Sequence, residues 1–445
     1  MPRDVVDFLL DRFGVSYGDY VQVDTIQGRR YRGYIMPRHE YSSPGILVLK
    51  MDNGYNIGIS VEKVENISRA EPPEIKLMTI IEEEVVERRD RRVLVVGIGG
   101  TILSKVDYVT GAVRSAVTAE ELLNFIPEAR GVAEIETEIL MNKYSEHLRP
   151  SDWSLMAKEI YRRVVDGGYD GIVVLHGTDT MGYTAAALSF AIRDSPIPII
   201  LVGSQRSSDR PSSDAALNLL SAIRVAADAD IAGVYVAMHS STSDDYIAIH
   251  LGTRVRKNHT SRRDAFQSID VPPVMLVDPD GGFRYIWREV RRRDLGRAPS
   301  LYGEFSEEAA LVKFYPGMHP SIIRLLADEG VKAIILEGTG LGHVGEHLYE
   351  VIGYAVERGV HIFMASQCIW GRVNMNVYDT GRFLQRLGVV PLGNMIAETA
   401  YVKASWILGN FGVDELDRLM LSDVCGELTL KSPIEDTRGG FGGGL

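Results

Sequence analysis

Two cysteines in 445 residues, Cys368 and Cys425, are too few and too differently placed for a disulfide framework or a thiolate metal site. They read as buried or idle thiols in a reducing compartment, and no Cys–His–Asn grouping around either points to a cysteine nucleophile. Positive charge is also scarce: 48 Lys and Arg against 60 Asp and Glu leave a formal net charge of −12. A chain with that balance is a poor nucleic-acid grip by itself, because phosphate binding needs clustered cations. The dense basic run, Arg288 to Arg297, reads as a solvated loop, with a local basic patch as the alternative. No apolar run of about 18 residues is present to span a bilayer. The amino terminus, Met1-Pro2-Arg3-Asp4-Val5, lacks the apolar core of a secretory signal. These absences predict a cytoplasmic globular protein without membrane contact.

Nucleotide signatures are missing too. In Gly97-Ile98-Gly99-Gly100-Thr101-Ile102, Ile102 stands where a dinucleotide fingerprint keeps its third glycine. No acid closes the next strand at the distance that holds a ribose. There is no Walker-type loop, so the chain alone is not expected to hydrolyse ATP.

What is present has the texture of three parts. Residues 1–75 begin with an amphipathic helix at Val5–Arg12, followed by short alternating runs at Tyr20–Thr25, Tyr31–Met36, Gly45–Met51 and Tyr55–Ser60. Gln27-Gly28 and Asp52-Asn53-Gly54 are hairpin-turn signals, and the spacing predicts a small SH3-like or Sm-like β-barrel. Residues 76–91 read as a charged linker. A unit spans 92–299, and from Arg92 to about Ser240 strands at Val93–Val96, Glu134–Leu140, Gly171–Leu175, Ile197–Val202 and Gly233–Met238 alternate with helices at Thr118–Phe125, Ser151–Val165, Met181–Arg193 and Asp214–Ala226. That alternation predicts an α/β fold with a largely parallel, doubly wound sheet. Tyr246–Pro299 is less regular. A second α/β unit follows over 300–430, and a Gly-rich tail over 431–445 is expected to be disordered or to dock on a partner.

Chemistry concentrates at two strand ends. Thr101 follows the first strand of the doubly wound unit, and Thr178 follows the apolar run Ile172–Leu175 within His176-Gly177-Thr178-Asp179-Thr180-Met181. Open α/β sheets bind ligands at the carboxyl ends of their strands. A threonine hydroxyl barely ionises near neutral pH, so it needs a neighbour to take its proton before it attacks a carbonyl. Lys257, in Arg256-Lys257-Asn258-His259-Thr260, is the candidate, with Asp179 beside it. Plainer readings exist: a residue of the Thr178 run caps the next helix, Lys257 is a solvated charge, and Tyr108 packs in a loop.

Taken together, these segments resemble the L-asparaginase family of amidohydrolases with two catalytic threonines. Gly99-Gly100-Thr101-Ile102 is similar to its first signature and His176-Gly177-Thr178-Asp179-Thr180 to its second. Ser145-Glu146, ahead of Trp153, resembles its substrate-binding pair, with Glu where Gln is common. Lys257, ahead of Phe266, falls at the family's lysine. The likeness runs from about Arg92 to Leu421. The leading barrel, the loop Ser104–Val113 and the segment around Lys257 further resemble the D-subunit family of the archaeal glutamyl-tRNA(Gln) amidotransferase.

The resemblance implies an L-asparaginase-like two-domain fold and an amide-donor hydrolase that passes ammonia to a separate E subunit. It implies Thr101 as nucleophile with Tyr108 as activating residue, and Thr178, Asp179 and Lys257 as a second catalytic unit. Ser145, Glu146, Thr178 and Asp179 would hold the donor. No cofactor or metal is implied in this chain; ATP and Mg2+ belong to the E subunit, which also binds most of the tRNA. Two D subunits would pair within a D2E2 heterotetramer. The order in which the threonines attack, and the choice between Gln and Asn as donor, stay open. A free-standing L-asparaginase is the alternative.

Overall fold

The computed structural model describes residues 5–37, 44–51, 56–71, 91–99, 126–206, 213–287 and 290–431, together with the backbone of 104–106 and 113–115. Thr101, Tyr108, the helical pattern Thr118–Phe125, the linker 76–91 up to residue 90 and the tail beyond Lys431 lie outside the described residues.

The first unit is a five-stranded antiparallel sheet with the helix Val5–Phe13. Strands Tyr20–Thr25, Arg30–Ile35, Ile46–Met51 and Asn56–Ser60 pair in sequence order, and a fifth, Val64–Arg69, returns to pair with the first. Alternation along the third strand puts Leu47 and Leu49 into a core with Val6, Leu10, Val21, Val23 and Ile35. The fifth strand is not announced by the sequence, because only Ile67 of its six residues is buried.

The second unit centres on an eight-stranded sheet. Its parallel half runs Glu134–Ile139, Arg92–Gly97, Gly171–Leu175, Pro198–Val202, Gly233–His239. The middle strands are buried along their length, as expected for parallel strands covered on both faces. Successive residues serve opposite layers. Leu94, Val96, Ile172 and Val174 face helices Pro150–Asp166 and Met181–Ala191, while Val93, Val95 and Val173 face helix Ala215–Asp228. The five strands expected from the sequence are all parallel to one another. Ile247–Leu251, Met275–Val277 and Phe283–Tyr285 extend the sheet antiparallel, inside the stretch of irregular sequence. Two of these strands are three residues long, too short to show a period.

The third unit is a four-stranded parallel sheet of Ala309–Lys313, Ala333–Gly338, His361–Ser366 and Val390–Pro391. Its helix Ala397–Asn410 packs on Met181–Ala191, with Phe190 stacked on Trp406 at 5.4 Å between ring centroids. One apolar cluster therefore runs from the first large sheet across both helices to the second. This accounts for the helix Met-Gly-Tyr-Thr-Ala-Ala-Ala-Leu-Ser-Phe-Ala being apolar on every side.

Among the described residues the basic run is a largely exposed loop, as expected, but it is pinned to the body at several points. Arg293 donates to the Ala226 and Ala229 carbonyls, each at 3.0 Å, and to the Asp170 carbonyl, where it caps the end of helix Ala215–Asp228. Arg291 and Arg292 pair with Asp194 and Asp230. Neither cysteine is bridged: Cys368 is exposed, and burial pushes the Cys425 thiol up to about 12. Among the described residues no helix is long and apolar enough to cross a membrane.

Candidate active site

Three neighbouring parallel strands end side by side, and each continues into a glycine. Gly99 follows Arg92–Gly97, Gly177 follows Gly171–Leu175 and Gly203 follows Pro198–Val202. Gly99 has φ +119°, and a Cβ there would lie 2.1 Å from the Lys143 carbonyl oxygen. The chain at 140–143 thus crosses directly over the first strand end, with the Lys143 amide donating to the Ile98 carbonyl at 3.1 Å. That crossing delivers Ser145 to the second strand end.

Ser145 is buried, and its carbonyl accepts the Thr180 hydroxyl at 2.7 Å. Thr180 stands at the amino-terminal cap position of helix Met181–Ala191, but its side chain makes no capping bond. The capping explanation of this run therefore fails for the residue best placed to cap. A Cβ on Gly177 would approach the Ser145 Cβ and Oγ to 2.8 Å, so glycine permits the two segments to touch. Glu146, the next residue, is exposed.

His176 fixes the turn from beneath. Its Nδ1 lies 2.6 Å from the Gly177 carbonyl oxygen, and its Nε2 lies 2.8 Å from the Thr184 hydroxyl. A carbonyl only accepts, so Nδ1 carries the proton and Nε2 accepts from Thr184. Thr184 in turn accepts from the Trp153 indole at 3.2 Å, which satisfies every member of the chain. Complete burial pushes the imidazole down to about 4, keeping it neutral. His176 acts as a structural part of the turn, its two ring nitrogens taken up by Gly177 and Thr184.

Above it, Thr178 is buried and meets Lys257. The lysine Nζ donates to Thr178 Oγ1 at 2.8 Å and to Asp179 Oδ1 at 2.7 Å. Lys257 is not a solvated charge: its side chain is 13% exposed, against 66% for Asp179. It comes from a hairpin of Val255–Lys257 with Phe266–Ser268, three residue pairs long. The amine is therefore within hydrogen-bond reach of both the hydroxyl and the carboxylate, as a base between a nucleophile and an orienting group requires. Four of the seven expected site residues, Ser145, Thr178, Asp179 and Lys257, come together here; Glu146 borders them through its neighbour, and Thr101 and Tyr108 fall outside the described residues.

The third strand end escapes the sequence reading. A Cβ on Gly203 would lie 2.9 Å from Thr178 Cγ2. The next residues, Ser204 and Gln205, have buried side-chain atoms, Oγ and Nε2, with no partner among the described residues. A signal is nonetheless there, since Gly203-Ser204-Gln205 follows an apolar strand just as the threonine motifs do. Asn218 donates to the Gly203 carbonyl at 3.0 Å and meets His239 at 2.7 Å. His239 lies 3.1 Å from Asp244, which accepts from Arg263 in the Lys257 hairpin loop. Behind the lysine strand, Arg256, Lys313, Glu337, Gln367, Asn394 and Glu398 line a cavity of about 190 Å³. Burial, reinforced by Glu398, raises the Glu337 carboxyl, while Lys313 and Arg256 pull it down.

Residues 92–291 match the family model "Asparaginase, N-terminal", and 309–420 match "Glutaminase/Asparaginase C-terminal domain". The thermostable L-asparaginase from Thermococcus kodakarensis superposes with a TM-score of 0.68 at 34% identity, covering 76% of this chain and 99% of its own. L-asparaginase I from Vibrio cholerae superposes at 0.66 and 29% identity, with 76% and 99% covered. Those enzymes leave about a quarter of the chain unmatched. Residues 15–69 match "GatD N-terminal domain". The glutamyl-tRNA(Gln) amidotransferase D subunit of Pyrococcus abyssi is 46% identical over 430 residues, 95% of this chain and 97% of the relative. That of Thermofilum pendens is 46% identical over 437 residues, with 96% of each chain covered. The chain belongs to the D-subunit family of glutamyl-tRNA(Gln) amidotransferases. That family, not free-standing asparaginase, accounts for the whole length, and the amino-terminal β unit is what separates the two. Its asparaginase-like body makes this chain an amidotransferase component with an amidohydrolase site.

Proposed function

We propose that the chain hydrolyses the side-chain amide of a glutamine or asparagine donor and supplies the ammonia that converts glutamyl-tRNA(Gln) to glutaminyl-tRNA(Gln). The observation that carries this reading is Lys257 Nζ within 2.8 Å of Thr178 Oγ1 and 2.7 Å of Asp179 Oδ1. One of the two threonines, Thr101 or Thr178, attacks the amide carbon as its proton passes to the base. The tetrahedral intermediate collapses, the C–N bond breaks, and the nitrogen takes a proton to leave as ammonia. Water then cleaves the acyl-threonine ester and releases the acid. Lys257, with its amine unprotonated at the moment of attack, accepts the proton, and Asp179 holds the resulting ammonium. Tyr108 activates Thr101, and Ser145, Glu146 and Asp179 hold the α-carboxyl and α-amino groups of the donor.

The E subunit supplies ATP and Mg2+ chemistry and most of the tRNA contact, in an assembly of two D and two E subunits. The charge of this chain suits that division, since its basic run is spent on carbonyls and carboxylates of its own fold. The test is donor hydrolysis by the chain together with the E subunit, with and without glutamyl-tRNA(Gln) and ATP. Those ligands should raise the rate several-fold, and Thr101→Ala and Thr178→Ala should each abolish it. Equal rates in both conditions would identify an uncoupled asparaginase, and a fully active Thr178→Ala enzyme would remove the second catalytic unit.

A further inference from the structure

The strand that carries Lys257 is gripped from behind by the other domain. The Thr253 hydroxyl donates to the Cys425 carbonyl at 3.0 Å, and the Thr253 carbonyl accepts the Thr399 hydroxyl at 2.9 Å. Arg254, fully buried, donates from Nε to the Gly426 carbonyl and from Nη1 to the Asn394 carbonyl, both at 2.8 Å. Arg256 Nε donates to Glu398 Oε1 at 2.6 Å. Alternate residues of a strand face opposite ways. Arg254 and Arg256 accordingly reach the second domain and the segment after its last helix, while Val255 enters the core and Lys257 reaches Thr178. The gripping segment is itself anchored, because Lys403 and Glu427 form a fully buried pair at 2.6 Å and Glu427 accepts the Val424 and Cys425 amides.

We infer that Arg256, through its pair with Glu398, is a positioning residue that sets Lys257 against Thr178 from the second domain. The contacts form a closed frame. Thr178 leads into helix Met181–Ala191; that helix packs on Ala397–Asn410, whose first turn holds Glu398; Glu398 binds Arg256; and Lys257, next in the chain, returns to Thr178. Without the Arg256–Glu398 edge, the three-pair hairpin is held to the second domain only through Thr253 and Arg254, farther from Lys257, and a long lysine side chain magnifies any remaining roll at Nζ. Misplacing a catalytic group by about 1 Å costs up to about a hundredfold in rate.

This inference rests on Lys257 being catalytic, so the experiment includes Lys257→Met beside Arg256→Gln, Glu398→Gln and their double variant. The full chain is assayed for donor hydrolysis within its complex. Arg256→Gln should lower kcat about ten- to a hundredfold with donor KM nearly unchanged, since Arg256 touches no donor-binding residue. The double variant should lose no more than the worse single one, because both remove the same edge. Arg256→Lys should recover part of the loss. Glu398→Gln tests the same edge from the other side, should Arg256→Gln fold poorly. Full kcat in both single variants, or additive losses in the double, would overturn the positioning role while an inactive Lys257→Met kept the catalytic one. An active Lys257→Met enzyme would remove both.

Discussion

Thr178 reaches the site on the end of a strand buried on both faces, whereas Lys257 reaches it on a short hairpin at the junction of two domains. The threonine turn is fixed by close packing and by one satisfied chain of polar contacts, Gly177–His176–Thr184–Trp153. All of those partners belong to its own domain. The lysine hairpin takes its hold from distant parts of the sequence: Asn394, Glu398 and Gly426 on one side, Asp244 on another. The hydroxyl is thus a local property of the doubly wound sheet, and the position of the lysine amine is a property of the whole body. A protein arranged this way can keep the Thr178 turn well formed while Lys257 is moved by events in the second domain.

The largest effect expected on the lysine arm separates charge from proton transfer. Lys257→Met should lower donor turnover about a thousandfold, within the usual range for a positioned acid–base group. Lys257→Arg should fail nearly as badly, because a guanidinium keeps its proton near neutral pH. Steady-state rates at saturating donor decide this, and an active Lys257→Arg enzyme would mean that only positive charge is needed there. A smaller effect is expected on the threonine arm from Gly177→Ala. The added methyl would sit 2.8 Å from Ser145, which is buried and held through Thr180 and so has little room to withdraw. It should cost about 1–3 kcal/mol of stability and about a hundredfold in kcat/KM. Wild-type kinetics in that variant would show that the turn is less rigid than its packing implies.

The two arms are unequally legible in the sequence. Runs such as Gly171–Leu175 and Pro198–Val202 are buried on both faces, so uninterrupted apolar residues mark them, and a glycine with a hydroxyl after such a run marks the site. The same logic extends to Gly203-Ser204-Gln205. The antiparallel strands Met275–Val277 and Phe283–Tyr285 are not legible, since three residues cannot establish a period and charged turns surround them. Arg293 looks solvated because a run of arginines usually is; its partners are backbone carbonyls, which carry no signature in sequence. Lys257 stands out only through its company and the family likeness, and nothing local to Arg254 or Arg256 foretells their grip on residues about 140 positions away.

Acid provides the mildest perturbation, and it acts on both arms. His176 lies under the threonine turn, and His250 contacts Ser268 of the lysine hairpin at 2.8 Å through Nδ1. Burial pushes each imidazole from 6.5 down to about 4. In the unfolded chain each would take up a proton below about pH 6.5, while the folded chain refuses it until about 4. The unfolded state then binds more protons across that window, so stability is fully present above pH 6.5 and falls as the pH drops toward 4. Each histidine contributes on the order of 1.4 kcal/mol per pH unit to that slope. Urea unfolding followed by tryptophan emission, to which Trp153 and Trp406 of the shared core contribute, should show the loss in wild type between pH 6.5 and 4.5. His250→Gln should remove one histidine's share of the slope whatever it does to stability at pH 7, because a glutamine does not titrate. His176→Gln should remove a similar share, since burial and not the particular partner is the main cause of both shifts. Unchanged slopes in both variants would mean that these imidazoles already meet water in the folded protein, and an unchanged slope in His176→Gln alone would mean that the turn beneath Thr178 is looser than the hairpin.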